Sequence, residues 1–144
     1  MVDRSDSWLK ERGFAVDNIE SRGFNGNTPL LQAALEGDEK MVALFIAAGV
    51  DLYAVNNDYN GVLFNACYAD NPAIIRMLVE AGADIDDVNE EGETALMYAV
   101  SASKLKSVKM LIALGADKTL QNVDGFSAID YAVNRTVFKH LRHA

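Results

Sequence analysis

Cysteine, proline, tryptophan and histidine are scarce in this 144-residue chain, at one, two, one and two copies. The lone Cys67 excludes an intrachain disulfide and a cysteine metal cluster, so nothing demands an oxidising compartment. His140 and His143 stand i, i+3 at the C-terminus with no third ligand nearby, and no metal site is expected. Basic residues are outnumbered, 13 against 21 acidic, for a formal net charge of -8. That balance argues against nucleic acid or an anionic membrane as partner and favours a basic protein surface. No apolar run approaches the roughly 18 residues of a membrane span. The start, Met1 to Ser7, is polar and lacks a signal core, so a cytoplasmic location is expected. No Ser-His-Asp set, phosphate loop or dinucleotide fingerprint is present, and neither catalytic residues nor a cofactor are expected.

What the chain has is a period of 33. Gly49-Val50-Asp51, Gly82-Ala83-Asp84 and Gly115-Ala116-Asp117 recur at that step. So do Thr28-Pro29-Leu30, Thr94-Ala95-Leu96 and Ser127-Ala128-Ile129, and so do Gly26, Gly92 and Gly125, with Tyr59 in the slot between the first two. A period this short is one supersecondary unit stacked on copies of itself, which makes a binding surface more readily than a catalytic pocket.

In one unit, Thr28 is an N-cap and Pro29 takes the first helical position, where its missing N–H costs nothing. Leu30, Ala33 and Ala34 then form an apolar stripe, and Gly37 ends the helix in the left-handed region. Asp38 caps a second helix whose core face is Met41, Val42, Leu44 and Phe45. Later units place Leu63, Ala66 and Cys67, then Ile75, Met77 and Leu78, in the same slots. Leu96, Ala99 and Val100, then Val108, Met110 and Leu111, follow. The fourth unit begins with Ile129, Ala132 and Val133 and puts Leu141 in the slot of Val42. Residues 1–23 fall outside the period. Trp8, Leu9 and Phe14 read there as a short amphipathic helix covering the open edge of the first repeat. Arg135, Lys139, His140, Arg142 and His143 give the last helix a basic face, so both ends read as capped and a small self-contained protein is expected.

Thr28-Pro29-Leu30, Ala33-Ala34 and Gly37, with Val42, Leu44, Gly49 and Asp51, closely resemble the ankyrin repeat pattern. The resemblance covers residues 24–144, as repeats 24–57, 58–90, 91–123 and 124–144 behind an N-terminal capping segment. It implies an all-α, L-shaped solenoid of helix–turn–helix repeats. Projecting β-turn fingers and the first helices would line a concave groove. It further implies a protein–protein interaction module without enzymatic activity. The chain departs from the pattern in three places. The slot in which the family often has histidine holds Leu31, Phe64, Met97 and Asp130, so that residue's inter-repeat hydrogen-bond network is expected to be missing. Tyr59-Asn60-Gly61-Val62 replaces a Gly-x-Thr-Pro start. Asp70 and Ser103 replace the glycine between paired helices, which predicts strain of about 1 kcal/mol at the Ser103 turn.

Two segments imitate calcium loops: Asp87-x-Asn89-x-Glu91-Gly92 and Asn56-x-Asp58-x-Asn60-Gly61. Their twelfth slots hold Tyr98 and Cys67 instead of the bidentate glutamate, so turn chemistry is the reading. Cys67, in the alanine slot of a helix, reads as a buried inert thiol. Six carboxylates, Asp84, Asp86, Asp87, Glu90, Glu91 and Glu93, crowd ten residues without a cation.

By the phase of the resemblance, Glu90, Glu91 and Glu93 lie on the finger between repeats two and three, and Tyr68 and Ser101 face the groove. Tyr53 and Tyr59 flank the preceding finger. The predicted partner-binding set is therefore Tyr53, Tyr59 and Tyr68 as aromatic anchors with Asn57, Asp58 and Asn60. Glu90, Glu91 and Glu93 act as an acidic clamp, and Ser101, Asp124 and Phe126 complete the set. The expected function is an adaptor or a regulatory or inhibitory subunit holding a basic protein partner, as a monomer ahead of a homo-oligomer. The alternatives are a self-associating assembly protein docking through Val137, Phe138 and Leu141, or a subunit that stabilises an enzyme.

Overall fold

The computed structural model describes residues 4–133 and 135–143, with the side chains of Arg4 and His143 outside the description. Asn134, which shares the groove-facing slot of Tyr68, and the His143 imidazole thus lie outside the described residues. The helices are α1 (Arg4–Glu11), α2 (Pro29–Glu36), α3 (Glu39–Ala47), α4 (Val62–Tyr68), α5 (Pro72–Glu80), α6 (Ala95–Ser101), α7 (Leu105–Ala113) and α8 (Arg135–His143). Single 3-10 turns span Phe24–Gly26 and Ala128–Tyr131. Among the described residues the β content is one antiparallel bridge between Val88 and Thr94.

The helices form two layers. Helices α2, α4, α6 and the second 3-10 turn stack side by side, and α3, α5, α7 and α8 stack behind them. The inner layer packs closely because its facing residues are small: Ala33, Ala34, Ala66, Cys67, Ala99 and Val100 are fully buried. Each first helix starts where the sequence says. Thr28 Oγ1 accepts from Leu31 N–H at 3.3 Å, and Thr94 Oγ1 from Met97 N–H at 3.2 Å. Asp38 and Asn71 cap α3 and α5 through Met41 N–H and Ile74 N–H, each at 3.1 Å. Gly37 ends α2 at φ 71.

Helix α7 has no such residue of its own, since Lys104 at its N-cap makes no side-chain cap. Asp70 does the work from the neighbouring repeat. One of its carboxylate oxygens accepts from Ser107 N–H at 2.9 Å and from Ser107 Oγ at 2.8 Å. Asp70 thus holds the strained left-handed conformation (φ 52) in place of glycine and caps the next helix from there. Ser103 also lies in that region, at φ 55, as the sequence predicts.

Helix α1 lies over the open edge of the first repeat. Trp8 stacks on Phe14, meets Phe45 edge-on at 5.5 Å, and donates Nε1–H to Asp38. Arg12 sits over the Trp8 ring and grips Glu36 with two hydrogen bonds of 2.8 and 2.7 Å. That fork raises the Arg12 pKa and draws the Glu36 carboxyl below its ordinary range. The period also reaches back before residue 24. Asn18 Oδ1 accepts from Glu20 N–H just as Asp51, Asp84 and Asp117 accept from the residue two places on.

Some core assignments need correction. Leu44 is 36% exposed, and Met77 and Met110 are half-buried. Val133 is 74% exposed, because the fourth repeat's first helix is one 3-10 turn that ends at Tyr131 with Ala132 extended. A tighter, shorter turn rotates the i+4 position away from the stack. Val137 and Leu141, offered above as a docking surface, are buried at 1% and 2%, leaving Phe138 exposed on α8. Arg135, Lys139 and Arg142 do face solvent.

An inter-repeat polar network is present, although three of the four histidine slots, Leu31, Phe64 and Met97, are apolar. Asn65 Nδ2 donates to the Leu31 carbonyl at 2.8 Å, Asn56 Nδ2 to Asn27 Oδ1 at 3.2 Å, and Asn27 Nδ2 to Gln32 Oε1 at 3.2 Å. All three asparagines are buried. Their amides satisfy one another and the backbone, which burial requires.

Candidate protein-binding site

Four fingers, numbered in chain order, carry Gly26, Tyr59, Gly92 and Gly125 in one slot, and fingers two to four are each built by one asparagine. Asn56, Asn89 and Asn122, 33 apart, accept with Oδ1 from the N–H groups two and four residues on, at 2.9–3.2 Å. The two calcium-like segments therefore spend their asparagines on turns. Among the described residues no group of three or more His, Cys, Asp or Glu could hold a metal ion.

Neighbouring fingers touch at their tips. Asn57 N–H donates to the Asn25 carbonyl at 2.9 Å, and Val123 N–H to the Glu91 carbonyl at 3.0 Å. The equivalent bond between fingers two and three, Glu90 N–H to the Asp58 carbonyl, is absent among the described residues. The cause is legible at the glycine slot. A Cβ placed on Gly26 would collide with Asn57 Oδ1, and one on Gly92 would lie 3.3 Å from the backbone of Asn122 and Val123. Finger two carries Tyr59 in that slot, at φ 60, so it has a Cβ where the close approach of the other fingers leaves little room.

The gap is a cleft of about 200 Å³ lined by Asp58, Asn60, Phe64, Asn89, Glu90, Glu91, Glu93 and Tyr98. A second cleft of about 200 Å³ adjoins it, sharing Asp58, Asn60, Phe64 and Tyr98 and adding Phe24, Leu35 and Tyr68. Together they form a groove with acidic fingertips and an aromatic floor. Tyr68 is 58% exposed and lies 5.4 Å from the Lys104 ammonium. Tyr98 packs on Phe64, and partial burial raises its pKa, with Cys67 and Tyr68 adding to the effect.

Six of the twelve predicted residues line this groove: Asp58, Asn60, Tyr68, Glu90, Glu91 and Glu93. Glu93 is partly committed to the scaffold, since it accepts from Asn89 Nδ2 at 3.2 Å and from the Tyr131 hydroxyl at 3.3 Å. The Tyr131 hydroxyl in turn accepts from Asn122. Tyr53 lies elsewhere. Its hydroxyl donates to the Gly82 carbonyl at 2.9 Å, and its ring lines a narrow crevice with Leu52, Val55, Ala83 and Val88. Asn57 packs over Gly26, Ser101 donates to the Tyr98 carbonyl, and Phe126 leans on Tyr131. Tyr59 and Asp124 are exposed at the tips of their fingers and line neither cleft.

The ten-residue acidic run is also divided. Asp84 closes a backbone turn away from the cleft by accepting from Asp86 N–H, and the Asp86 carboxylate accepts from Asp117 N–H in the next repeat. Sequence reasoning missed Tyr98 and Phe64 as groove residues. Tyr98 does share the slot of Gln32, Asn65 and Tyr131, and that phase was the available signal.

Cys67 is fully buried 3.9 Å from the Ala95 carbonyl, and burial pushes its thiol up to about 12, which removes it from nucleophilic chemistry at neutral pH. No described helix is long and apolar enough to cross a membrane. No curated protein matches the sequence. The model of ankyrin repeats (3 copies) matches residues 7–89, 30–122 and 63–143. This chain belongs to the ankyrin-repeat family.

Proposed function

We propose that the chain is an adaptor or regulatory subunit that holds a basic segment of a protein partner in the groove across fingers one to three. Ankyrin repeats are generally non-catalytic protein–protein interaction modules. The observation that supports the finer reading is the gap between fingers two and three, where Asp58, Glu90 and Glu91 rim a cleft floored by Phe64 and Tyr98. A lysine or arginine of the partner fits that chemistry. Its charge meets the carboxylates, and its stem or guanidinium lies on the aromatic rings. Tyr68 and Phe24 supply apolar area beside it at little entropic cost. A cytoplasmic location belongs to the same proposal and accords with one buried thiol.

The test replaces Glu90 and Glu91 by Lys and leaves Glu93, on which Tyr131 depends. The partner captured from the native host by the unaltered protein is then titrated against both forms at several salt concentrations. Affinity should fall at least about tenfold, with the salt dependence flattened. Tyr68→Ala should weaken binding by a further factor of about ten. Unchanged affinity and salt dependence in the charge variant would overturn the basic-partner reading.

A further inference from the structure

Two Asn-Gly dipeptides lie on adjacent fingers, Asn25-Gly26 and Asn60-Gly61, and their surroundings differ sharply. At the first, the Asn25 side-chain amide donates to Asp58 at 2.8 Å, and the Gly26 N–H donates to the Gly23 carbonyl at 3.0 Å. Both groups are held. At the second, only the backbone of Asn60 is fixed, its N–H to Asn56 Oδ1 at 3.2 Å and its carbonyl to Asn56 N–H at 3.1 Å. Neither the Asn60 side-chain amide nor the Gly61 N–H makes a hydrogen bond among the described residues.

The free N–H has a local cause. Gly61 is the N-cap of α4. In repeats three and four the N-cap N–H is engaged by the third helical residue, Thr94 N–H by Met97 Sδ at 3.5 Å and Ser127 N–H by Asp130 at 2.8 Å. In repeat two that residue is Phe64, which has no acceptor to offer. A Cβ built on Gly61 would meet nothing within 4 Å, so this backbone is sterically open.

We propose that Asn60-Gly61 is a site of spontaneous succinimide formation that turns Asn60 into a carboxylate inside the groove. The Gly61 nitrogen gives up its proton and bonds to Asn60 Cγ. The Cγ–Nδ2 bond breaks and Nδ2 leaves as ammonia, carrying that proton. Water, the one co-reactant, then opens the ring at either carbonyl to give aspartate or isoaspartate. Asn60 lines both clefts, so the product adds a carboxylate beside Asp58, Glu90, Glu91 and Glu93 and takes the formal net charge from -8 to -9. An amide donor is lost and the groove's pull on a cation grows. The isoaspartate product also lengthens the backbone of finger two by one carbon.

The full chain is incubated at neutral pH, folded and in urea, and sampled over days by peptide mapping with fragmentation that separates aspartate from isoaspartate. In the folded protein Asn60 should convert at least about tenfold faster than Asn25, whose two hydrogen bonds must first break. In urea the two rates should converge. Gly61→Ala, which the open backbone accommodates, should suppress the reaction at Asn60 and leave Asn25 unchanged. Equal rates in the folded protein, faster conversion of Asn25, or an Asn60 that stays intact while Asn25 reacts in urea would each overturn the proposal.

Discussion

Repeats two and three occupy the same slots of one period, yet only repeat three keeps the period's local chemistry at its finger. Repeat three turns on Gly92, starts α6 at Thr94 with its N–H engaged by Met97, and bonds its tip to finger four. Repeat two turns on Tyr59, starts α4 at Gly61 with no side-chain cap, and leaves its tip unbonded to finger three. Their cores do not differ in this way. Leu63 and Leu96, Ala66 and Ala99, and Cys67 and Val100 are all buried. The lesson is that core slots hold the stack while finger slots are free to vary, and the variation in repeat two opens the cleft.

The largest expected effect at neutral pH breaks the dependence of repeat three on repeat two. Asp70→Ala removes the carboxylate that caps α7 from outside and should cost about 2 kcal/mol in urea unfolding. Asp70→Gly should cost less, because glycine relieves the left-handed backbone while losing the same cap. Equal costs for the two variants would show that the φ of 52 stores no strain at that position.

The next removes a chemical difference inside the matched cores. The Cys67 thiol is pushed up to about 12 in the folded protein from an ordinary value of 9.0. Its folded value is raised, so its contribution is complete below pH 9 and is lost as pH rises toward 12, because the unfolded chain can ionise the thiol first. Stability should therefore fall by up to about 1.4 kcal/mol per pH unit in that window. Cys67→Val, which copies Val100 of repeat three, should flatten this part of the profile. Identical alkaline profiles would mean that the thiol ionises without the fold opening.

The smallest effect on stability is the sharpest on shape. Tyr59→Gly gives finger two the residue of fingers one, three and four, and should stabilise the chain by about 1 kcal/mol. It should also let the Glu90 N–H reach the Asp58 carbonyl, which hydrogen exchange at the Glu90 amide would register as new protection. An unprotected Glu90 in this variant would show that the side chain at position 59 does not keep the fingers apart.

Much of this was legible in the residues. Thr28, Asp38, Asn71 and Gly37 announced helix ends because capping is local chemistry, satisfied within three or four residues. Asp58, Glu90 and Glu91 reach the groove as their phase within the ankyrin resemblance implies. Tyr53 was misplaced, because whether an exposed tyrosine faces the groove or bridges to the next loop depends on the carbonyl of Gly82, 29 residues away. Tyr98 was overlooked for the converse reason: in one repeat it reads as an ordinary helix residue, and it becomes groove floor only when α4 and α6 stack.

The sequence by itself determined the period, the capped helix starts of the first three repeats, most of the buried slots and the acidic surplus, since each follows from side chains acting on their own few neighbours. Only the tertiary structure decided that Asp70 caps a helix in another repeat, that asparagines take over an inter-repeat network, and that finger two stands apart from finger three. Those outcomes depend on distances between residues about 30 or more positions apart. Stacking sets those distances, and no local propensity encodes them.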